Sequence, residues 1–99
     1  MISREGNRLR VSGHLTMGTV AALVEMGLPP AGEADLVIDL AQIEGVDSAA
    51  VSLLLVWLRA SSSHRINLSF ANMPENLLSL ARLYGVMDLL PLSSSQAHA

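Results

Sequence analysis

The stretch from Leu36 to Leu58 constrains the fold more than any other part of this chain. Leu36-Val37-Ile38-Asp39-Leu40 is a nearly continuous apolar run of strand length. A run of this kind is buried on both faces when it lies in the middle of a parallel sheet. Ala41 to Val46 then reads as a connecting loop, and Asp47-Ser48 opens the longest helix, from about Ala49 to Ser61. Within it Val51, Leu54, Leu55 and Leu58 form one stripe at helical spacing, while Leu53, Val56 and Trp57 fall on other faces. The helix is therefore apolar nearly all round, whereas a surface helix of a small domain is apolar on one side only.

The flanking sequence supplies the partners. Ile2 to Arg4 and Arg8 to Gly13 read as two short strands joined by the turn Glu5-Gly6-Asn7, with Leu9 and Val11 marking a buried face. Thr16 is placed to cap a first helix to about Met26, with Met17, Val20, Ala21 and Val24 as its inward stripe. Gly27 and Pro29-Pro30-Ala31-Gly32 end that helix. Ser61-Ser62-Ser63 frays the end of the second helix, and Ile66 to Phe70 alternates like a strand. Pro74 sits at the first position of a third helix, with Glu75 beside its positive end. Leu77, Leu80, Ala81 and Tyr84 are its inward stripe, Gly85 is its C′ residue, and Val86 is set to complete a Schellman motif. Leu89-Leu90 is a candidate last strand. Helix and strand alternate after an opening hairpin. That order predicts an α/β fold with a mixed, mostly parallel sheet of about four to five strands and helices packed against it.

With 99 residues the chain has one domain's length, expected over 1–92, with 93–99 a polar, disordered tail. Hydrophobic residues make up 51% and charged ones 15%, against roughly 25% charged in soluble domains. Two readings stay open: an oily Leu- and Ala-rich core, or a surface partly covered by a partner. The net charge is -3, Lys is absent, and the six Arg are scattered with few aromatic residues among them, so nucleic-acid binding is disfavoured. There is no Cys for disulfides or thiolate chemistry. The opening Met1-Ile2-Ser3-Arg4-Glu5 shows no secretory signal, and the apolar run Leu53 to Leu58 falls far short of a membrane span. A soluble, cytoplasmic chain is expected.

Catalytic patterns are absent. His14, His64 and His98 lie far apart and lack zinc-ligand spacing. No phosphate-binding glycine loop and no G-x-S-x-G elbow occurs, so an independent nucleotide-binding role or hydrolase has no motif behind it. No cofactor, metal or catalytic residue is expected. Ser48 has two uses open to it. Its hydroxyl can cap the helix, or the helix start can accommodate a phosphate. Asp47 likewise can be a capping carboxylate.

Val37-Ile38-Asp39-Leu40, the following interval and Asp47-Ser48 resemble the STAS family (sulfate transporters and anti-sigma-factor antagonists), whose members carry V-x-x-D-L, a loop, then D-S-S-G-L or D-T-G-G-L at a helix start. The resemblance runs from Leu9 to about Leu90. The chain departs from the antagonist pattern: Thr16 stands where G-x-L-D has its acid, and Asp47-Ser48-Ala49-Ala50 stands where D-S-S-G has its glycine at the last position. The segment Ser79 to Pro91, with Leu80-Ala81-Arg82-Leu83-Tyr84 and Leu89-Leu90-Pro91, resembles the end of the small STAS subunit of Mla-type phospholipid ABC transporters. That resemblance implies a non-enzymatic accessory subunit bound to the cytoplasmic ATPase of a system maintaining outer-membrane lipid asymmetry, peripheral to the inner membrane through its partner. It places the contact at Asp47, Ser48, Val51 and Ser52. The antagonist resemblance implies instead an anti-sigma factor or serine kinase as partner, with Ser48 as phospho-acceptor. Packing in the core is the plain use of Leu80, Leu83 and Tyr84.

Overall fold

The computed structural model describes residues 2–26 and 35–92. Strand β1 (Ile2–Glu5) turns back into β2 (Arg8–Leu15), and helix α1 (Met17–Met26) follows. Then come β3 (Asp35–Val46), α2 (Ser48–Ser63), β4 (Asn67–Ala71), α3 (Glu75–Leu83) and a short 3₁₀ turn, Met87–Leu89. The sheet order is β1-β2-β3-β4. β1 and β2 form the expected antiparallel hairpin, and β2–β3 and β3–β4 are parallel. The α/β class and the mixed, mostly parallel sheet are as the sequence predicts. The expected end of α1 at Gly27 to Gly32 and the expected tail at 93–99 lie outside the described residues.

The sheet has one buried face. Leu9, Val11, Leu36, Ile38, Leu40, Leu68 and Phe70 point into the core, where they meet Ala50, Leu53, Leu54 and Trp57 of α2 and Leu77 and Ala81 of α3. β3 is not buried on both sides, as its apolar run suggests. Asp35 is exposed, and Val37 and Asp39 are half-buried on the opposite face. Arg8 is aligned with Val37 and reaches Asp39, with Nη1 2.7 Å from Oδ2. The aliphatic stem of the arginine therefore covers part of the valine. This explains an apolar residue on the outer side of a strand that has helices on its other side.

Asp39 is the hub of that outer face. Its Oδ1 accepts from the Ala41 N–H at 3.0 Å and from Asn72 Nδ2 at 3.1 Å, while Oδ2 takes Arg8. Burial alone raises the carboxyl pKa. The bonds from Ala41, Asn72 and Arg8, with the arginine's charge, outweigh it and hold the pKa below its ordinary value of 3.8.

Three other expectations change. Ala41 to Val46 is strand, because β2 also runs on to Leu15 and supplies it with a neighbour. Trp57 lies in the core at 1% exposure, since the inner face of α2 is Ala50, Leu53, Leu54 and Trp57 rather than the stripe through Leu55 and Leu58. Its indole Nε1 has no hydrogen-bond partner among the described residues. Leu89-Leu90 does not form a strand. Only Leu92 bridges to Phe70, and Pro91, which has no N–H, accepts from the Phe70 N–H at 2.8 Å.

Both later helices end in Schellman motifs. At α3 the Val86 N–H reaches the Ala81 carbonyl and the Gly85 N–H that of Arg82, with Gly85 at φ 70°. At α2 the same pair runs from Ile66 to Ser61 and from Arg65 to Ser62, so the serine run is helical through Ser63 rather than frayed. Here, however, the left-handed residue is Arg65, at φ 55°.

A glycine suits that conformation, and any residue with a Cβ is disfavoured in it. Gly85→Ala should therefore cost about 1 kcal/mol, whereas Arg65→Gly should be neutral or stabilising by up to about 1 kcal/mol. Urea midpoints of the two variants check both signs. Asp39→Asn should cost about 1–2 kcal/mol at pH 7. Because the folded pKa of Asp39 is depressed, this contribution is full above the unfolded value near 4 and is lost as pH falls through the lower folded value. Denaturation curves of wild type and Asp39→Asn should thus converge on acidification below about pH 4.

Candidate functional site

The site is built where β2 and β3 end together. After Arg10↔Asp39 the ladder continues through Ser12↔Gln42, Gly13↔Ile43, His14↔Gly45 and Leu15↔Val46. Twice in that span β3 spends one residue more than β2, so it carries two bulges that bend it along its partner. Gly45 lets the His14 ring lie close over the strand, since a Cβ there would stand 2.5 Å from the histidine Nδ1 and the ring would have to move. The Asp47 N–H donates to the Leu15 carbonyl at 3.2 Å. The starts of α1 and α2 are thereby placed side by side.

One carboxylate serves both helix starts. Asp47 is the N-cap of α2, in extended conformation, and its Oδ1 accepts from the Ala49 N–H at 2.8 Å. Its Oδ2 accepts from the Met17 N–H, at the first residue of α1, at 2.9 Å. Each helix start carries unpaired N–H groups and a partial positive charge, and a carboxylate satisfies both. The capping role open to Ser48 falls to Asp47, and Ser48 becomes the first helical residue. Thr16 precedes α1 as expected, but the hydroxyl that closes the turn is Thr19's. It accepts from the Thr16 N–H at 3.0 Å and donates to the His14 carbonyl at 2.6 Å, half of a capping box with a hydroxyl in place of the usual carboxylate.

The four residues expected at a contact are brought to one place but differ in availability. Ser48 and Ser52 are exposed, one turn apart on α2. Val51 is 5% exposed and belongs to the core, and what remains of its surface faces a groove. Asp47 is half-buried with both oxygens engaged internally. The groove measures about 350 Å³ and is lined by Ser48, Val51, Ser52, Leu55, Tyr84 and Val86.

Tyr84 and its neighbours were not legible as surface. The α3 stripe places Tyr84 inside, yet it is 52% exposed and Leu83 is 75% exposed, while Leu78 is buried instead. Helix α3 ends at Leu83, so Tyr84 is its C-cap and the chain turns away. Pro74 is correspondingly the N-cap rather than the first helical residue. In α1, Met17 is 77% exposed and Ala21 and Val24 also face out; among the residues of this helix whose burial is described, Val20 alone is buried and Leu23 is half-buried. The usable signal was Gly85, which marks where α3 stops.

A second depression, about 290 Å³, lies on the open sheet face among Arg10, Val11, Asp39, Ala41 and Gln42. Its carboxylate is consumed by the Asp39 network, so it offers no free acid. Among the described residues no group of three or more His, Asp or Glu could hold a metal ion. No described helix is long and apolar enough to cross a membrane.

A family profile described as "Mlab, STAS domain" matches residues 1–91. The chain belongs to the STAS family. Among solved structures, that of the anti-sigma factor antagonist SpoIIAA in its unphosphorylated form superposes with a TM-score of 0.66. The match covers 98% of this chain and 90% of that one at 14% identity, a likeness of fold. The crystal structure of Mglu gives a TM-score of 0.57 at 20% identity over 76% of this chain. Only 19% of that chain is involved, so the STAS domain corresponds to a fraction of it. No curated protein matches the sequence significantly.

The two bonds of Asp47 can be separated. Asp47→Asn keeps one carbonyl oxygen as acceptor, and should retain the α2 cap while releasing the Met17 N–H. Asp47→Ala should lose both and cost about 1–2 kcal/mol. Amide hydrogen exchange at Met17 should accelerate in both variants, and at Ala49 only in Asp47→Ala.

Proposed function

We propose that residues 1–92 act as one non-enzymatic docking domain, the accessory subunit of an Mla-type phospholipid ABC transporter that maintains outer-membrane lipid asymmetry. The domain binds and tunes the cytoplasmic ATPase through the start of α2, and sits at the inner membrane only through that partner. The supporting observation is the pairing of a family profile described as "Mlab, STAS domain" with two exposed serines on the first turns of α2 beside an apolar groove. The exposed face of α2 at that point carries no charge, and an uncharged apolar surface is stabilised by burial against another protein. Such a subunit tunes an ATPase by binding one of its conformational states better than another. In this reading Ser48 and Ser52 touch the partner, Val51 backs the contact, and Asp47 holds the helix start in place.

The second reading is an anti-sigma-factor antagonist. It is favoured by the fold shared with SpoIIAA and by an exposed hydroxyl at the first position of α2. A kinase would transfer a phosphoryl group to Ser48 Oγ, adding about -1.5 to -2 charge to the contact.

Ser48→Arg distinguishes the two. The side chain is exposed, so the variant should fold, with a far-ultraviolet spectrum like wild type. In pull-downs from native membranes the wild type should recover an ABC ATPase and Ser48→Arg should not. Recovery of a serine kinase or anti-sigma protein without any ATPase would overturn the transporter reading.

A further inference from the structure

We infer that the Met17 thioether is a redox switch on the docking surface: a hydroperoxide oxidises it to the sulfoxide in the free subunit, and the sulfoxide weakens docking. The inference rests on the docking role proposed for the start of α2 and adds a regulation of that same site.

Hydrogen bonds place Met17 beside Ser48. The Asp47 carboxylate accepts from the Met17 N–H at 2.9 Å through Oδ2 and from the Ala49 N–H at 2.8 Å through Oδ1. Two amides held by the two oxygens of one carboxylate stand no more than about 8 Å apart. Ser48 lies between Asp47 and Ala49 in the chain and is exposed. Thr19 fixes the same turn of α1, accepting from the Thr16 N–H at 3.0 Å and donating to the His14 carbonyl at 2.6 Å. The backbone around Met17 is thus tied to the end of β2 and to the start of α2, while the Met17 side chain is 77% exposed. A large apolar side chain held out from a fixed backbone adds apolar area to the contact made at Ser48.

Sulfur chemistry singles the residue out. The sequence has five Met and no Cys, so its oxidisable sulfur is all methionine. Met73 is buried and Met87 is half-buried against the core, which leaves Met17 the most exposed of the methionines whose burial is described. In the oxidation a lone pair of Sδ attacks one oxygen of the hydroperoxide. An S–O bond forms and the O–O bond breaks. The proton of the transferred oxygen passes to the departing one, which leaves as water or an alcohol. Sulfur is oxidised by two electrons and the peroxide is reduced by two. The sulfoxide oxygen is a strong acceptor that must give up water to enter an apolar contact. The Met17 N–H keeps its bond to Asp47, so the change is confined to the surface. Methionine sulfoxide reductase with a dithiol restores the thioether, releasing water and a disulfide, which makes the switch reversible.

The test treats the purified full chain with hydrogen peroxide, removes the peroxide, and then adds native membranes for the pull-down. Peptide mass spectrometry reads the added oxygen at Met17. With Met17 oxidised, recovery of the ATPase should fall about fivefold or more, and reductase with dithiothreitol should restore it. Met17→Leu stays apolar and has no sulfur, so it should recover the ATPase like wild type before and after peroxide. Met17→Gln should imitate the sulfoxide with no oxidant present. The oxidised chain should keep the far-ultraviolet spectrum of wild type; a changed spectrum would assign the loss to unfolding and overturn the inference. If Met17→Leu loses recovery after peroxide as wild type does, or if recovery is unchanged with Met17 fully oxidised, the redox inference is overturned. The docking reading then stands as long as Ser48→Arg still abolishes recovery. If neither Ser48→Arg nor oxidation of Met17 changes recovery, both fail.

Discussion

The parallel pairing of β2 with β3 is the interaction on which the rest depends. It runs from Arg8↔Val37 to Leu15↔Val46, past the point at which β3 leaves β4. Because the two strands end together, the residues that follow each of them, Thr16 and Asp47, are neighbours. The carboxylate of Asp47 can then reach the Met17 N–H across thirty residues of sequence. A β3 that ended at Leu40, with a loop after it, would leave Asp47 without that geometry. The two bulges let the longer β3 segment keep pace with β2.

The oily character of α2 resolves into layers. Ala50, Leu53, Leu54 and Trp57 fill the core. Leu55, Val56 and Leu58 are half-buried along the sides, and Ser48 and Ser52 keep the first turns of the outer face small. Full burial of such a side chain is worth about 1.5–3 kcal/mol, so the inner four anchor the helix firmly while the flanks retain apolar surface. Helix α1 is held differently. Among its residues whose burial is described, Val20 is buried and Leu23 packs half-buried against the core, and the polar bonds of Asp47 and Thr19 tie down its start.

The outer sheet face shows why a near-continuous apolar run misled. Two-sided burial was a fair reading of Leu-Val-Ile-Asp-Leu, since helices flank both faces of most parallel sheets. Here the second face is covered in part by side chains of the sheet itself, with Arg8 lying over Val37 and closing on Asp39. That arrangement needs β2 in register with β3, a nonlocal fact that the spacing within β3 does not encode.

What the sequence determined by itself is local. The hairpin, the alternation of strands and helices, the helix start at Asp47-Ser48 and the stop at Gly85-Val86 follow from periodicity, capping chemistry and backbone preference, each a property of a few adjacent residues. The Asp39-Leu40 and Asp47-Ser48 pairs pointed to the family. Tertiary structure alone decided which side of each helix faces in. Met17, Tyr84 and Leu83 match an inward stripe by spacing or composition and still lie outside, Met17 at the start of α1 and the other two at the end of α3. It also decided that Asp47, rather than Ser48, caps α2. A carboxylate can accept from two helix starts at once. The gain from that second bond exists only after β2 and β3 have brought α1 alongside.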